Sequence, residues 1–123
     1  MASSDNVLRG GLTPKHVDVD ELLAVLDVRP GPPPVVQAVV DGMIRRFPTP
    51  NDEFELSLLE LTEATADIPG ASPRIVLCLD GYVALSTPHD EVRLPKGSAA
   101  WVPADDGPLL LTGPALAVVA TTP

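Results

Sequence analysis

The sequence predicts a mainly β protein, an antiparallel β-sandwich or small barrel with one short N-terminal helix, and three observations carry that prediction. Fifteen prolines among 123 residues argue against long uninterrupted helices, since each interior proline removes a backbone donor. Past residue 50 the chain reads as short extended runs, among them "RIVLCLDGYVALS", "EVRL", "AAWVPA", "PLLLT" and "ALAVVA". Turn formers ("PKGS", "ADDGP", "TGP") punctuate these runs at short, regular spacing, the pattern of an antiparallel sheet rather than of alternating helix and strand.

The helix is read from "DVDELLAVLDV". Val19, Leu22, Leu23 and Leu26 recur at i, i+3, i+4 and i+7, and Asp18 stands three residues before Glu21 as a capping box. Asp18, Asp20 and Glu21 lie at the positive end of the helix dipole, so their charge has a structural explanation. The following "RPGPPPVV" cannot continue a helix and predicts a stiff connection. In "DEFELSLLEL", Phe54, Leu56 and Leu58 alternate with Glu53, Glu55 and Ser57. The alternation slips at Leu58-Leu59, which predicts a bulge or a change of facing partner in a strand with one core face and one wet face. In "RIVLCLDGYVALS", Asp80-Gly81 is the dipeptide that most readily supplies a type I′ turn, so the run predicts a hairpin.

The length suits one domain with a real core. Seventeen acidic against eight basic side chains give a net charge of -9, which repels phosphate backbones and anionic lipid alike. Nucleic acid is thereby disfavoured as a partner, and so is a membrane surface. Cys78, the single cysteine, sits in an apolar run as a buried thiol and demands no oxidising compartment. The first twenty residues hold no continuous apolar segment, and no stretch reaches the roughly 18 apolar residues of a membrane span, so the chain is expected to be cytoplasmic.

Chemistry is scarce in the interior. His16 and His89 are far apart and neither belongs to a His-x-His or His-Glu constellation, so no zinc ligands are identifiable in the chain. There is no G-x-S-x-G elbow and no phosphate-binding glycine loop. Only the opening "MASSDNVLRGGLTPK" concentrates candidates. Arg9 and Lys15 stand beside Gly10-Gly11 and Pro14, and could converge on an anion such as a phosphate or a developing enediolate. Ser3, Ser4, Asp5 and Asn6 supply short side chains that could fix a loop aiming Arg9. A solvated tail carrying chance charges accounts for the same residues.

The stretch "MASSDNVLRGGLTPKHVDVDELL" resembles the type I mannose-6-phosphate isomerases, whose signature runs E-x-M-A-x-S-D-N-x-x-R-A-G-x-T-x-K after a zinc-binding histidine. Residues Met1 to Lys15 match its later half, with Gly10 where the family usually has alanine, and "RRFPTPNDEFELSLLEL", "RIVLCLDGYVAL" and "LPKGSAAWVPA" look like the family's C-terminal β-domain. The resemblance implies a cupin-like jelly-roll barrel over residues 52–123, a proline-rich connection over 29–51, and a catalytic-loop segment with the amphipathic helix over 1–28. It implies interconversion of mannose 6-phosphate and fructose 6-phosphate through an enediol, with Arg9 as the catalytic arginine and Lys15 as a phosphate contact.

The family's zinc ligands, a Gln-x-His pair, a glutamate and a histidine, all lie upstream of the position matched by Met1. The chain therefore reads as the closing portion of a zinc isomerase begun at an internal methionine, inactive in isolation. The missing half could be supplied in trans, or the chain could self-associate. A competing reading is a stand-alone β-domain that binds a sugar or a protein without catalysis. A domain severed from its parent should expose a large apolar patch, whereas a binding module should be polar with one cleft.

Overall fold

In the computed structural model the described residues are 8–12, 14–33, 35–50, 53–62, 64–70 and 72–122. The loop expected of Ser3, Ser4, Asp5 and Asn6 lies outside them. The chain divides into two units, residues 1–35 and residues 36–123.

In the first unit, helix α1 runs Val19–Val25 and begins where Asp18 accepts a hydrogen bond from the Glu21 backbone N–H at 3.1 Å. Asp20 and Glu21 occupy its first turn, favourable at the positive dipole end. It stops at Leu26, whose backbone turns extended, and the proline series follows a bidentate Arg29–Asp27 pair at 2.6 Å. Gly10 lets the opening stretch approach the helix closely: an added Cβ would sit 3.1 Å from Leu22 Cδ2. No residue of α1 is buried, and Val19, Leu23 and Leu26 of its apolar stripe are each more than half exposed.

The second unit is a curled antiparallel sheet of nine strands that forms a half-barrel. They are β1 (Val39–Asp41), β2 (Ile44–Phe47), β3 (Glu55–Leu61), β4 (Ala66–Ile68), β5 (Arg74–Ser86), β6 (Glu91–Pro95), β7 (Ala99–Val102), β8 (Leu109–Thr112) and β9 (Ala115–Thr121). The order across the sheet is β1-β2-β3-β9-β5-β8-β4, with β6 and β7 also pairing with β5. Leu59, Val76, Cys78, Val83, Leu85, Leu109, Leu111 and Val119 fill its interior. The mainly β architecture is therefore as the sequence predicts.

Two local expectations are overturned, and at Leu58-Leu59 one of two alternatives is excluded. The hairpin assigned to Asp80-Gly81 is absent, because β5 runs straight through it as one strand of 13 residues. A type I′ turn needs two successive positive φ values, and only Gly81 has one, at 71°. Here the dipeptide makes a bulge: Cys78 pairs with Ala117 and Asp80 with Leu116, leaving Leu79 as an extra residue. The bulge flips the parity of the strand. Arg74, Val76 and Cys78 face inward before it, and Val83 and Leu85 after it. A Cβ at position 81 would lie 1.9 Å from the Pro114 carbonyl oxygen, so close backbone approach as well as φ requires glycine there.

A two-residue hairpin loop occurs instead at Gly42-Met43, within the segment 29–51 expected to be a connection. Asp41 pairs with Ile44 across the two residues Gly42 and Met43, with Gly42 at φ 58°. Finally, β3 shows no bulge at Leu58-Leu59. Its register with β9 is unbroken from Glu55 to Leu61, and its inward residues are Ser57, Leu59 and Leu61, while Phe54 is exposed. The apparent slip is a change in what the inward face carries, polar at one end and apolar at the other.

Candidate functional site

Arg9 and Lys15 lie in the first unit, in the non-helical stretch ahead of α1, with Arg9 half-buried and Lys15 exposed. Both histidines are exposed, and His89 lies in a turn where the Thr87 hydroxyl accepts from the backbone N–H groups of His89 and Asp90. Among the described residues no group of three or more His, Cys, Asp or Glu side chains converges as a metal site. The donor set described here does not fit a zinc ion. Cys78 is fully buried, and its Sγ donates to the Asp80 carbonyl at 3.4 Å within the bulge.

The second unit has a cleft of about 480 Å³ in the mouth of the half-barrel. One wall is the inward face of β2, β3 and β9, and the other is β4 with the loop that follows it. Each inward row passes from apolar side chains at depth to polar ones at the mouth: Leu61, Leu59, Ser57 and Glu55 on β3, and Ala117, Val119 and Thr121 on β9. Arg46 of β2 pairs in register with Ser57, and Glu55 with Thr121, so these groups share one rim. The Arg46 guanidinium is 3.7 Å from Glu55 and 3.6 Å from Asp41.

Arg74 supports the opposite wall. It is 1% exposed and among the described residues has no carboxylate partner; its guanidinium donates to the carbonyls of Pro69 at 3.4 Å and Pro103 at 3.1 Å, and its Nε has no partner among them. A buried guanidinium held only by backbone oxygens is costly and is retained here as a tie between two loops. Neither the cleft nor Arg74 was anticipated. The signal for the cleft was present in "EFELSLLEL", where the two apolar residues nearest the strand's end sit on the opposite face from its deep leucines.

The outer face of the same sheet is apolar. Phe47, Leu56, Ala120, Ile75 and Trp101 pair in register across β2, β3, β9, β5 and β7, with Trp101 61% and Ile75 47% exposed. A second row runs Arg45, Leu58, Val118, Leu77 and Ala99. Beyond it, ion pairs form the rim, Arg45–Glu60 at 2.7 Å and Lys96–Asp80 at 2.8 Å. The Lys96 ammonium, chiefly by its hydrogen bond, holds the Asp80 carboxyl below the usual carboxylate range.

Residues 43–122, nearly all of this sheet, match the family model "Mannose-6-phosphate isomerase, cupin domain". The chain belongs to the mannose-6-phosphate isomerase family. It is 36% identical over 115 residues to the mannose-6-phosphate isomerase of Escherichia coli, covering 92% of this chain and 29% of that protein. The Arabidopsis thaliana mannose-6-phosphate isomerase 2 is 36% identical over 110 residues, covering 85% and 24%. A crystal structure of the Salmonella typhimurium mannose 6-phosphate isomerase, bound to substrate (f6p) and zinc, superposes with a TM-score of 0.82 at 34% identity over 99% of this chain and 32% of that one. The chain thus spans about a third or less of the isomerases it matches, in their C-terminal portion. No described helix is long and apolar enough to cross a membrane.

Proposed function

We propose that this chain is the C-terminal part of a cytoplasmic mannose-6-phosphate isomerase, that it contributes Arg9 and Lys15 to the sugar-phosphate site, and that it turns over no substrate alone. The observation that carries this reading is the apolar outer face. An antiparallel sheet facing water on one side alternates apolar with polar residues, whereas strands covered on both faces read as near-continuous apolar runs. "RIVLCL" and "ALAVVA" are of the second kind. Rows spanning five strands, roughly 19 Å across, rimmed by ion pairs, have the character of an interaction surface rather than of free surface. The remainder of an isomerase, with its zinc ligands, would cover that face.

Aldose–ketose interconversion moves a proton between adjacent carbons and develops negative charge on an oxygen. It needs a base, stabilisation of that oxyanion and a grip on the phosphate. Arg9 has the fixed charge and forked donors to meet the oxyanion or steer the sugar, and Lys15 has a compact charge for the phosphate. Metal chemistry would come from outside the described donor set.

The isolated chain with added zinc is expected to leave mannose 6-phosphate unconverted. Fused behind the upstream portion of the Escherichia coli relative, it should restore turnover, and Arg9→Ala should then lower kcat/KM by about a hundredfold or more. Turnover by the isolated chain that Arg9→Ala abolishes would overturn the reading.

A further inference from the structure

The cleft in the half-barrel mouth lies in the second unit and uses neither Arg9 nor Lys15. At about 480 Å³ it falls within the size range of small-molecule sites. Its floor is apolar, formed by Ile44 and Val119, and its rim is polar, formed by Arg46, Glu55, Ser57, Asp67, Ser72 and Thr121. Polar side chains at inward positions of a small barrel forgo core packing, and Ser57 does so while only 7% exposed. On the facing wall, Arg74 fixes the Pro69 carbonyl and so holds the loop that closes the cleft.

The rim's charges decide the ligand class. One rim carboxylate, Glu55, stands beside the one rim guanidinium, and Arg46 is already flanked by Glu55 and Asp41. An anion would meet a single guanidinium whose charge is already offset by two carboxylates, Glu55 and Asp41. Hydroxyl groups match: each can donate to Glu55 and accept from Arg46 or Ser57. The Thr121 hydroxyl donates to the Pro73 carbonyl at 3.0 Å, leaving its oxygen to accept. The C–H face of such a ligand would lie on Ile44 and Val119. We infer that this cleft binds an uncharged polyol or monosaccharide, and that it discriminates against the phosphorylated sugar.

The test is an amide chemical-shift titration of the 123-residue chain with D-mannose and, separately, with mannose 6-phosphate. D-mannose is expected to saturate with a dissociation constant of about millimolar order, with shifts confined to residues 44–46, 55–57, 67–70 and 119–122. Mannose 6-phosphate should bind there at least about tenfold more weakly. Ser57→Leu, which fills the cleft, should abolish the D-mannose shifts, and where that variant loses its dispersed spectrum Glu55→Gln takes its place, weakening binding by about tenfold. Absence of saturable shifts with D-mannose overturns the proposal. So does equal or tighter binding of the phosphate ester, or binding that neither variant changes. None of these outcomes bears on Arg9, so the isomerase reading stands or falls separately.

Discussion

The two faces of the second unit's sheet are built from the same strands and carry opposite chemistry. Inside, β3 and β9 begin at depth with Leu61, Leu59 and Ala117 and end at the mouth with Ser57, Glu55 and Thr121. Outside, the alternate residues Leu56, Leu58, Val118 and Ala120 stay apolar to the same end. A lone barrel would be expected to reverse this, sealing its interior and wetting its exterior. The inversion is what the proposed covering of the outer face and the proposed small polar ligand of the inner mouth both require. Helix α1 repeats the lesson in the first unit, with its apolar stripe exposed.

The bulge at Leu79 keeps the two faces distinct, so the largest effect is expected there. Gly81→Ala places a Cβ against the Pro114 oxygen in a left-handed backbone and should cost about 4 kcal/mol or more, read as a large drop in the urea midpoint. A midpoint close to wild type would mean that β5 can change parity without loss, and the distinction between faces would not rest on the bulge. Next comes Arg74→Ala, which leaves two carbonyls and a void. About 3 kcal/mol should be lost in the same measurement. A loss near zero would show that the facing wall needs no tie.

The outer face is probed by Ile75→Lys with Trp101→Glu. Both residues are about half exposed or more, so the isolated chain should change in stability by no more than about 1 kcal/mol, while the double variant weakens self-association, or assembly with an isomerase's upstream portion, by about tenfold or more in sedimentation. Unchanged association would mark the apolar rows as surface without a partner.

The smallest effect is expected at the rim. Lys96 lowers the Asp80 carboxyl from its ordinary 3.8, so the pair contributes stability that is present above pH 3.8 and is lost as pH falls through the lowered value. Asp80→Asn should therefore be slightly less stable than wild type at neutral pH and should converge with it in strong acid. A difference that persists below that range would assign the effect to packing rather than charge.

Much of this protein was legible in the sequence because it rests on local chemistry. Prolines forbid long helices, Asp18 caps a helix through its own near neighbours, and a resemblance spread over the chain names the family. What the sequence alone determined, then, was the fold class, the α1 helix and its cap, and the family. Tertiary structure decided that Asp80-Gly81 lies at a bulge inside β5 while the glycine after Asp41 opens a two-residue loop with Met43, because the strands flanking the two locally similar pairs find different partners. It also decided which face of β3 is core, because a strand's two faces are alternate residues and only the position of β9 and β4 says which is enclosed. The cleft and the Arg74 tie depend on residues brought together from β2, β3, β4, β9 and two loops. No local spacing encodes such encounters, which exist only once the sheet has curled.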